Sequence, residues 1–162
     1  MVPVGVLSEF AFFKDFSTDQ LNRLATLATE ENYQAGIQLY EKGDAARYLS
    51  LVREGKVFLF MENIIWAGKP PTQVVIDVIT NGEPMGWSAV VEPFLYTVSA
   101  RCIDDTKLIN FESLELWKMM VEDSDLGFKI MQSVVKVISS RLTHTRIVLV
   151  GERGLTSLTE YK

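Results

Sequence analysis

The chain has 162 residues with a formal net charge of -5, and 48% of them are hydrophobic, which suits one domain with a single core. Its Lys and Arg residues are scattered, which argues against a nucleic-acid surface, because clustered cations are needed to neutralise phosphates. No apolar run approaches the roughly 20 residues that span a bilayer, and the first residues lack the basic region of a secretory signal.

A short helix is predicted near the N-terminus, over residues 17–29. Ser17 and Gln20 match a capping box, in which each side chain bonds to the other residue's backbone amide. The apolar residues Leu21, Leu24 and Leu27 follow at helical spacing. We therefore expect an amphipathic helix with one face on the core.

Residues 32–111 are predicted to form an antiparallel β-roll. Short runs rich in β-branched and aromatic residues predict strands at 48–52, 56–61, 73–79, 95–103 and 107–111. Gly43 and Gly55 lie between such runs, where a tight turn needs a positive φ. The segment 63–71 contains two consecutive prolines, which cannot join a ladder, so we expect a hairpin loop there.

Two helices are predicted over residues 112–149, followed by a frayed tail over 150–162. The longer helix carries two apolar stripes: one contains Phe128, Met131, Val135, Ile138 and Leu142, and the other contains Leu126, Ile130, Val134 and Val137. A helix at the edge of a monomer needs only one stripe, so the second predicts a two-fold homodimer. We assign Ile130, Val134 and Val137 to the dimer interface, and the opposite division of the stripes also fits the pattern.

A motif lies between the predicted strands, in the run G-E-P-M-G-W-S-A-V-V-E-P-F-L-Y-T-V-S-A from Gly82 to Ala100. It resembles the phosphate-binding cassette of the cyclic-nucleotide-binding domain family, whose usual form is G-E-x-F-G-E-(L/I/M)-(A/S)-L, then a few residues, then P-R-(S/A/T)-A-(T/S)-V-x-A. The matching positions are Gly82, Glu83, Gly86, Ala89, Pro93, Thr97, Val98 and Ala100.

The resemblance extends over about residues 10–142, because the runs at 33–46 and 53–57 are similar to the start of that family's β-roll. It implies a mainly β fold, an antiparallel β-roll or jelly roll of cupin-like outline. An N-terminal helix and C-terminal helices would flank the roll. The whole chain, 1–162, would then be one domain.

Two cassette positions depart from the family. There, a glutamate holds the ribose 2′-hydroxyl and an arginine pairs with the cyclic phosphate, whereas this chain has Trp87 and Phe94 at those positions. The resemblance therefore implies that the scaffold is kept while cAMP and cGMP bind weakly or not at all. The candidate ligand pocket comprises Gly82, Glu83, Gly86, Trp87, Ser88, Ala89, Phe94, Tyr96 and Thr97.

The aromatic residues of the cassette leave two alternatives open. Trp87 and Phe94 either line a pocket for an apolar ligand or fill the former nucleotide cavity. The Tyr96 hydroxyl either orients a ligand or meets water or a backbone group. The amides of residues 86–89 would begin a short helix, whose terminus can attract an anion.

The sequence carries no catalytic or metal-binding pattern. Ser88 lacks the second glycine of a nucleophile elbow, and the single histidine, His144, cannot build a multi-histidine metal site. The spacing of Cys102 and His144 gives no support for haem ligation, and an iron–sulfur cluster needs four cysteines. We therefore predict no enzymatic activity, no catalytic residue, no metal and no cofactor.

The resulting hypothesis is a non-enzymatic regulatory domain that senses a ligand other than cAMP or cGMP. A small-molecule or anionic effector, an unidentified protein partner and a second copy of the chain are the expected partners, with no direct contact to nucleic acid or membrane. The twelve residues after 150 are too few for a DNA-binding domain, and the single cysteine, Cys102, favours the reducing cytoplasm. The alternative is a structural dimerisation or protein-docking module whose pocket is filled.

Overall fold

The computed structural model describes residues 2–63 and 68–153. It begins with a helix that the sequence did not predict, α1 at Val4–Ser8, followed by a 3-10 turn at Ala11–Phe13. Neither element has a side-chain cap, so the sequence contains no capping pattern from which it could be predicted. The 3-10 turn is held by tertiary contact, because the buried Ser133 hydroxyl donates to the Phe12 carbonyl at 2.7 Å.

The next helix, α2, spans Thr18–Leu27 and has the predicted capping box. The Ser17 hydroxyl accepts from the Gln20 amide at 3.2 Å, and the Gln20 side-chain oxygen accepts from the Ser17 amide at 3.0 Å. The helix ends earlier than residue 29, because Ala28 is already extended and the following residues pair with the last strand. The β-roll accordingly starts at residue 29 rather than 32.

Eight strands form two antiparallel sheets of four strands each, in the orders β1-β8-β3-β6 and β2-β7-β4-β5. The strands are β1 Thr29–Tyr33, β2 Gln38–Tyr40, β3 Tyr48–Glu54, β4 Val57–Asn63, β5 Thr72–Ile79, β6 Pro84–Met85, β7 Ser99–Cys102 and β8 Thr106–Glu112. The predicted antiparallel roll is therefore confirmed. One strand is shorter than predicted: residues 95–98 stay outside β7, and Leu95 makes only an isolated bridge to Ala45.

Successive side chains of β3 point to opposite faces of its sheet and so enter two different core clusters. Leu49 and Leu51 join the cluster that packs under the helices, whereas Val52 joins the cluster between the sheets. Ser50 therefore also projects between the sheets, next to Asn110 of β8. The turn after β3 needs Gly55, whose φ is 91° and whose added Cβ would lie 2.5 Å from the Asp105 carbonyl oxygen.

Two helices complete the chain, α3 at Ser113–Glu122 and α4 at Ser124–Arg153. The prediction that the last helix ends at residue 149 is wrong, because α4 continues through Arg153, and residues 154–162 of the predicted tail lie outside the described residues. At 30 residues, α4 is about 45 Å long. Every residue from 142 to 151 is exposed, so the helix extends beyond the sheets as an arm. Within the described residues, no helix is both long and apolar enough to cross a membrane.

The stripe that we assigned to the dimer interface faces the chain's own core. The other stripe faces outward only in part, because its Met131 and Ile138 also pack against that core. Leu126, Ile130 and Val134 are at most 1% exposed and belong to the chain's own core, and Val137 packs partly buried against it. The outward residues are Phe128, Val135 and Leu142, exposed by 67%, 59% and 47%. The spacing of the stripes could not decide this. The rotation of α4 is set by its contact with α3, where a Cβ on Gly127 would lie 2.6 Å from the Met120 carbonyl oxygen.

Candidate functional site

The space between the two sheets contains a small cavity, which we call the inter-sheet cavity. Its volume is about 250 Å³, which is below the roughly 300–1,000 Å³ usual for small-molecule sites. It is lined by Tyr33, Leu39, Tyr40, Asp44, Ala45, Arg47, Tyr48, Ser50, Met85, Tyr96, Leu108 and Asn110. Of the nine pocket residues predicted from sequence, only Tyr96 is among them.

Two stacked phenol rings form part of the wall of this cavity. Tyr40 and Tyr96 lie with ring centroids 3.6 Å apart and planes within 9° of parallel. The Tyr96 hydroxyl accepts from the Tyr48 amide at 3.0 Å and donates to the Tyr48 carbonyl at 3.1 Å. Burial raises the pKa of both Tyr40 and Tyr96, so both phenols stay neutral. The Tyr96 hydroxyl thus uses both its donor and an acceptor position on the backbone of Tyr48.

Tyr96 also stands at a cassette position that the sequence pattern could have exposed. In P-R-(S/A/T)-A-(T/S)-V, counted from Pro93, the fourth residue is alanine, and here it is Tyr96. A phenol ring is much larger than a methyl group and is 6% exposed in the fold. Of the two alternatives for its hydroxyl, the backbone partner is the one observed, and the ring in addition takes up volume that alanine would leave free.

The polar floor of the inter-sheet cavity comes from two neighbouring strands. The Ser50 hydroxyl on β3 donates to the Asn110 side-chain oxygen on β8 at 2.7 Å, and both residues are at most 5% exposed. At the rim, the Arg47 guanidinium lies over the Tyr48 ring, 5.1 Å from its centroid, and is the cation that lines this cavity. Ser50, Asn110 and Arg47 were not predicted from the sequence, because single polar residues within or next to strands form no motif.

Trp87 and Phe94 both point away from the inter-sheet cavity. Trp87 lies in a 3-10 turn, Trp87–Val90, and packs under α4 against Phe12 and Val134. Phe94 has a left-handed backbone, with φ of 57°, and its ring meets Trp117 of α3 edge-on at 5.7 Å. Neither Trp87 nor Phe94 therefore lines this cavity or supplies it with a charge.

The rest of the cassette keeps its backbone shape without forming a full helix. Gly86 has φ of 74°, and a Cβ there would lie 2.5 Å from the Tyr48 carbonyl oxygen and 3.4 Å from the Tyr96 ring. The expected short helix is only the four-residue 3-10 turn, in which the Ala89 amide already bonds to Gly86. Ser88 and Ala89 are buried, whereas Thr97 is exposed.

Gly82 and Glu83 border a larger space, which we call the helix cavity. Its volume is about 550 Å³, and it lies between α4, the N-terminal 3-10 turn and the turn that precedes β6. The lining residues are Ala11, Phe12, Lys14, Asp77, Gly82, Glu83, Pro84, Ser133, Lys136, Val137, Ser140, Arg141 and His144.

Arg141 connects the helix cavity to the sheets. Its Nε lies 3.4 Å from an Asp77 carboxylate oxygen, and its guanidinium also donates to the Pro84 carbonyl. Burial lowers the pKa of Arg141, while Asp77 acts in the opposite direction and keeps the guanidinium charged. α4 is thereby fastened to β5 and to the start of the cassette.

Metal and thiol chemistry receive no support from the described part of the chain. It contains no group of three His, Cys, Asp or Glu side chains that could hold a metal ion. His144 is exposed on α4. Cys102 is buried in β7, and burial raises the pKa of its thiol.

Several solved structures of cyclic nucleotide-binding proteins are similar to this chain. The chain is similar to a cyclic nucleotide-binding protein from Geobacter metallireducens GS-15, with 25% identity, a TM-score of 0.76 and coverage of 88% of this chain and 99% of that one. A cyclic nucleotide-binding domain from Methylobacillus flagellatus KT gives a TM-score of 0.77 at 16% identity, over 92% of this chain and 81% of that one. The regulatory domain of Toxoplasma gondii PKA, solved with cAMP, gives a TM-score of 0.63 at 15% identity, over 87% of this chain and 48% of that one.

None of the curated protein sequences matches this chain. The model of the cyclic nucleotide-binding domain matches residues 30–123, which is more than half of the chain. This range contains nearly all of both sheets, the cassette and α3. The chain therefore belongs to the cyclic nucleotide-binding domain family.

Proposed function

We propose that this protein is a non-enzymatic regulatory domain that senses a ligand without responding to cAMP or cGMP. The observation that carries this proposal is the stacked pair of Tyr40 and Tyr96 in the inter-sheet cavity. A nucleotide between the sheets would have to displace this pair and break the two bonds of the Tyr96 hydroxyl to Tyr48.

The electrostatics of the cassette support the same conclusion. The family pairs the cyclic phosphate with an arginine and the ribose with a glutamate, and Phe94 and Trp87 supply neither charge. Loss of a charged hydrogen bond weakens binding by about 1.5–3 kcal/mol, or roughly ten- to a hundredfold in affinity. Arg47 at the cavity rim does not restore the balance, because the carboxylate of Asp44 lines the same cavity.

We further propose that the domain acts as a homodimer through the outward face of α4. Phe128, Val135, Leu142 and Leu149 follow one another every seven residues and are exposed by 67%, 59%, 47% and 43%. A seven-residue apolar spacing supplies one of the two apolar positions of the heptad through which two helices pack against each other. The stripe that we first placed at the interface is used inside the subunit, so the outward one remains for a partner helix.

A structural dimerisation or protein-docking module is the second candidate. It is favoured by an apolar row on α3, where Leu114, Trp117 and Val121 are exposed by 58%, 40% and 69% at helical spacing. Phe94 extends this row through its contact with Trp117.

Two measurements test the proposed function. Isothermal titration calorimetry with cAMP and with cGMP should show no binding at micromolar concentration, and a micromolar or tighter dissociation constant would refute the proposal. Native mass spectrometry of the purified protein reports subunit number and retained ligand together. A dimer carrying a small molecule favours a sensor, whereas a dimer without one that captures no added anion favours the docking module.

A further inference from the structure

We propose that the helix cavity is a binding site for a small organic anion that has an apolar part, such as an aromatic phosphate or carboxylate. This inference rests on the proposed function and gives it an effector site outside the cassette. With about 550 Å³, the helix cavity falls inside the size range of small-molecule sites, about 300–1,000 Å³, whereas the inter-sheet cavity falls below it.

The helix cavity has an apolar wall. Phe12 from the 3-10 turn, Pro84 from β6 and Val137 from α4 converge on it from three separate elements. The first two elements are bonded to α4 without a ligand, since the Ser133 hydroxyl donates to the Phe12 carbonyl and the Arg141 guanidinium donates to the Pro84 carbonyl. A pocket formed by fixed elements costs little ordering on binding.

The lining of the helix cavity carries more positive than negative side chains. Lys14, Lys136 and Arg141 line the cavity together with two carboxylates, those of Asp77 and Glu83, so the lining has a positive surplus on a chain of net charge -5. Asp77 is engaged by Arg141 at 3.4 Å. The Glu83 carboxylate accepts from the backbone amide of Thr80 at 2.7 Å and from its hydroxyl at 2.9 Å.

The two lysines are available to a ligand. Among the described residues, no carboxylate lies within ion-pair distance of Lys14, and Lys136 pairs only with Asp15, at 3.3 Å. Both members of that pair are about half exposed, so the pair is weak and can be exchanged for a ligand anion. The site thus combines an apolar wall with one lysine that has no ion pair within the described part of the chain and one whose pair is weak.

The position of Arg141 gives the site a regulatory consequence. An anion beside this guanidinium competes with Asp77, and Arg141 is the residue that fastens α4 to β5 and to the carbonyl of Pro84. Immediately after it, the exposed arm of α4 begins. A ligand that binds one arrangement of this junction better than another shifts the arm, and with it the dimer face.

Two-dimensional ¹H–¹⁵N NMR of the full chain locates binding by residue. The probes are phenyl phosphate, inorganic phosphate and phenol, which separate the need for charge from the need for an apolar part. We expect saturable shifts with phenyl phosphate at Gly82, Ser133 and Ser140, which border the helix cavity, and not at Gly86 or Ser88 of the cassette.

Matched double variants test the cations. We expect K14Q/K136Q to weaken phenyl phosphate binding by at least roughly tenfold, and K42Q/K69Q, which removes the same charge from exposed positions elsewhere, to change it by less than about twofold. Inorganic phosphate and phenol should each bind at least roughly tenfold more weakly than phenyl phosphate.

Several results would overturn the inference: no saturable shift at millimolar probe, shifts confined to Gly86 and Ser88, equal losses in both double variants, or phenol binding as well as phenyl phosphate. A parallel titration with cAMP keeps the two proposals apart. Shifts at Gly86 and Ser88 with cAMP would refute the proposed function, whereas the result for the helix cavity depends on phenyl phosphate alone.

Discussion

The phenol ring of Tyr96 lies parallel to that of Tyr40, with centroids 3.6 Å apart, in the space between the two sheets. The Tyr96 position is the one at which the cassette pattern has alanine, so the pair occupies room that a small residue would leave free. A stacked aromatic pair contributes about 0.5–1.5 kcal/mol beyond the area that it buries. The two rings come from adjacent segments on one side of the roll, and the Tyr96 hydroxyl reaches Tyr48 of β3 in the other sheet.

Replacing Tyr96 with phenylalanine should lower the free energy of unfolding by about 1–3 kcal/mol. The ring and its stacking remain, but the amide and the carbonyl of Tyr48 both lose their partner. Urea denaturation measures the change. Tyr33→Phe is the comparison, since its partly buried hydroxyl bonds to the side chain of Glu31 rather than to backbone, and its loss should cost less than that of the Tyr96 hydroxyl because no backbone group loses a partner. Equal losses would show that the bonds to Tyr48 contribute nothing particular.

Restoring the family residues at two positions should not restore nucleotide binding. In W87E/F94R the Tyr40–Tyr96 stack still narrows the cavity to about 250 Å³, so calorimetry should show no gain in cAMP affinity. Adding Tyr96→Ala removes the ring that fills the alanine position, and the triple variant should bind at least roughly tenfold more tightly than the double variant. Circular dichroism melts establish that both variants are folded. A full gain in the double variant alone would mean that Tyr96 does not obstruct the cavity.

Much of the fold could be predicted because its signals are local. The capping box of Ser17 and Gln20 and the positive φ at Gly43 and Gly55 depend on neighbouring residues, and all of them are observed. The N-terminal 3-10 turn was missed because it depends on the bond from Ser133 to Phe12, which are 121 residues apart.

The candidate site was only partly predictable. Positions on the cassette pattern identified the family, but side-chain direction follows from the backbone at each position. Phe94 has a φ of 57° and turns toward Trp117, and no spacing rule contains that information. The volume of Tyr96 was visible in the sequence, whereas its stacking partner Tyr40 is distant in the chain and becomes its neighbour only through the pairing of β2 with β7.

Adjacent residues of α4 should respond in opposite ways to a charge. Val134 is 1% exposed and lies in the chain's own core, so Val134→Glu should cost more than about 3 kcal/mol and unfold much of the protein. Val135 is 59% exposed on the outward stripe, so Val135→Glu should leave a folded monomer. Equilibrium sedimentation and circular dichroism measure both. This reverses the expectation from sequence, in which Val134 faced the partner, and a wild-type monomer at tens of micromolar would contradict the dimer itself.

Acid should destabilise the protein partly through Asp123, which caps α4. The Leu126 amide donates to its carboxylate at 3.0 Å and Arg23 pairs with it, so the pKa of Asp123 is lowered. A carboxyl whose pKa is lower in the folded state stabilises the fold above its unfolded pKa, about 3.9. That contribution is lost as the pH falls through the lower, folded value. Asp123→Asn keeps a capping oxygen without the titration.

The urea midpoint of Asp123→Asn should therefore fall less than that of the wild type between about pH 7 and about pH 3. Some acid dependence should persist, because bonds from Lys129 and Gln20 lower the pKa of Asp125 as well. Asp125→Asn should then give a comparable partial reduction, and the double variant should show the smallest dependence on pH. If Asp123→Asn and the wild type lose stability in parallel on acidification, the cap of α4 is not a source of the acid sensitivity.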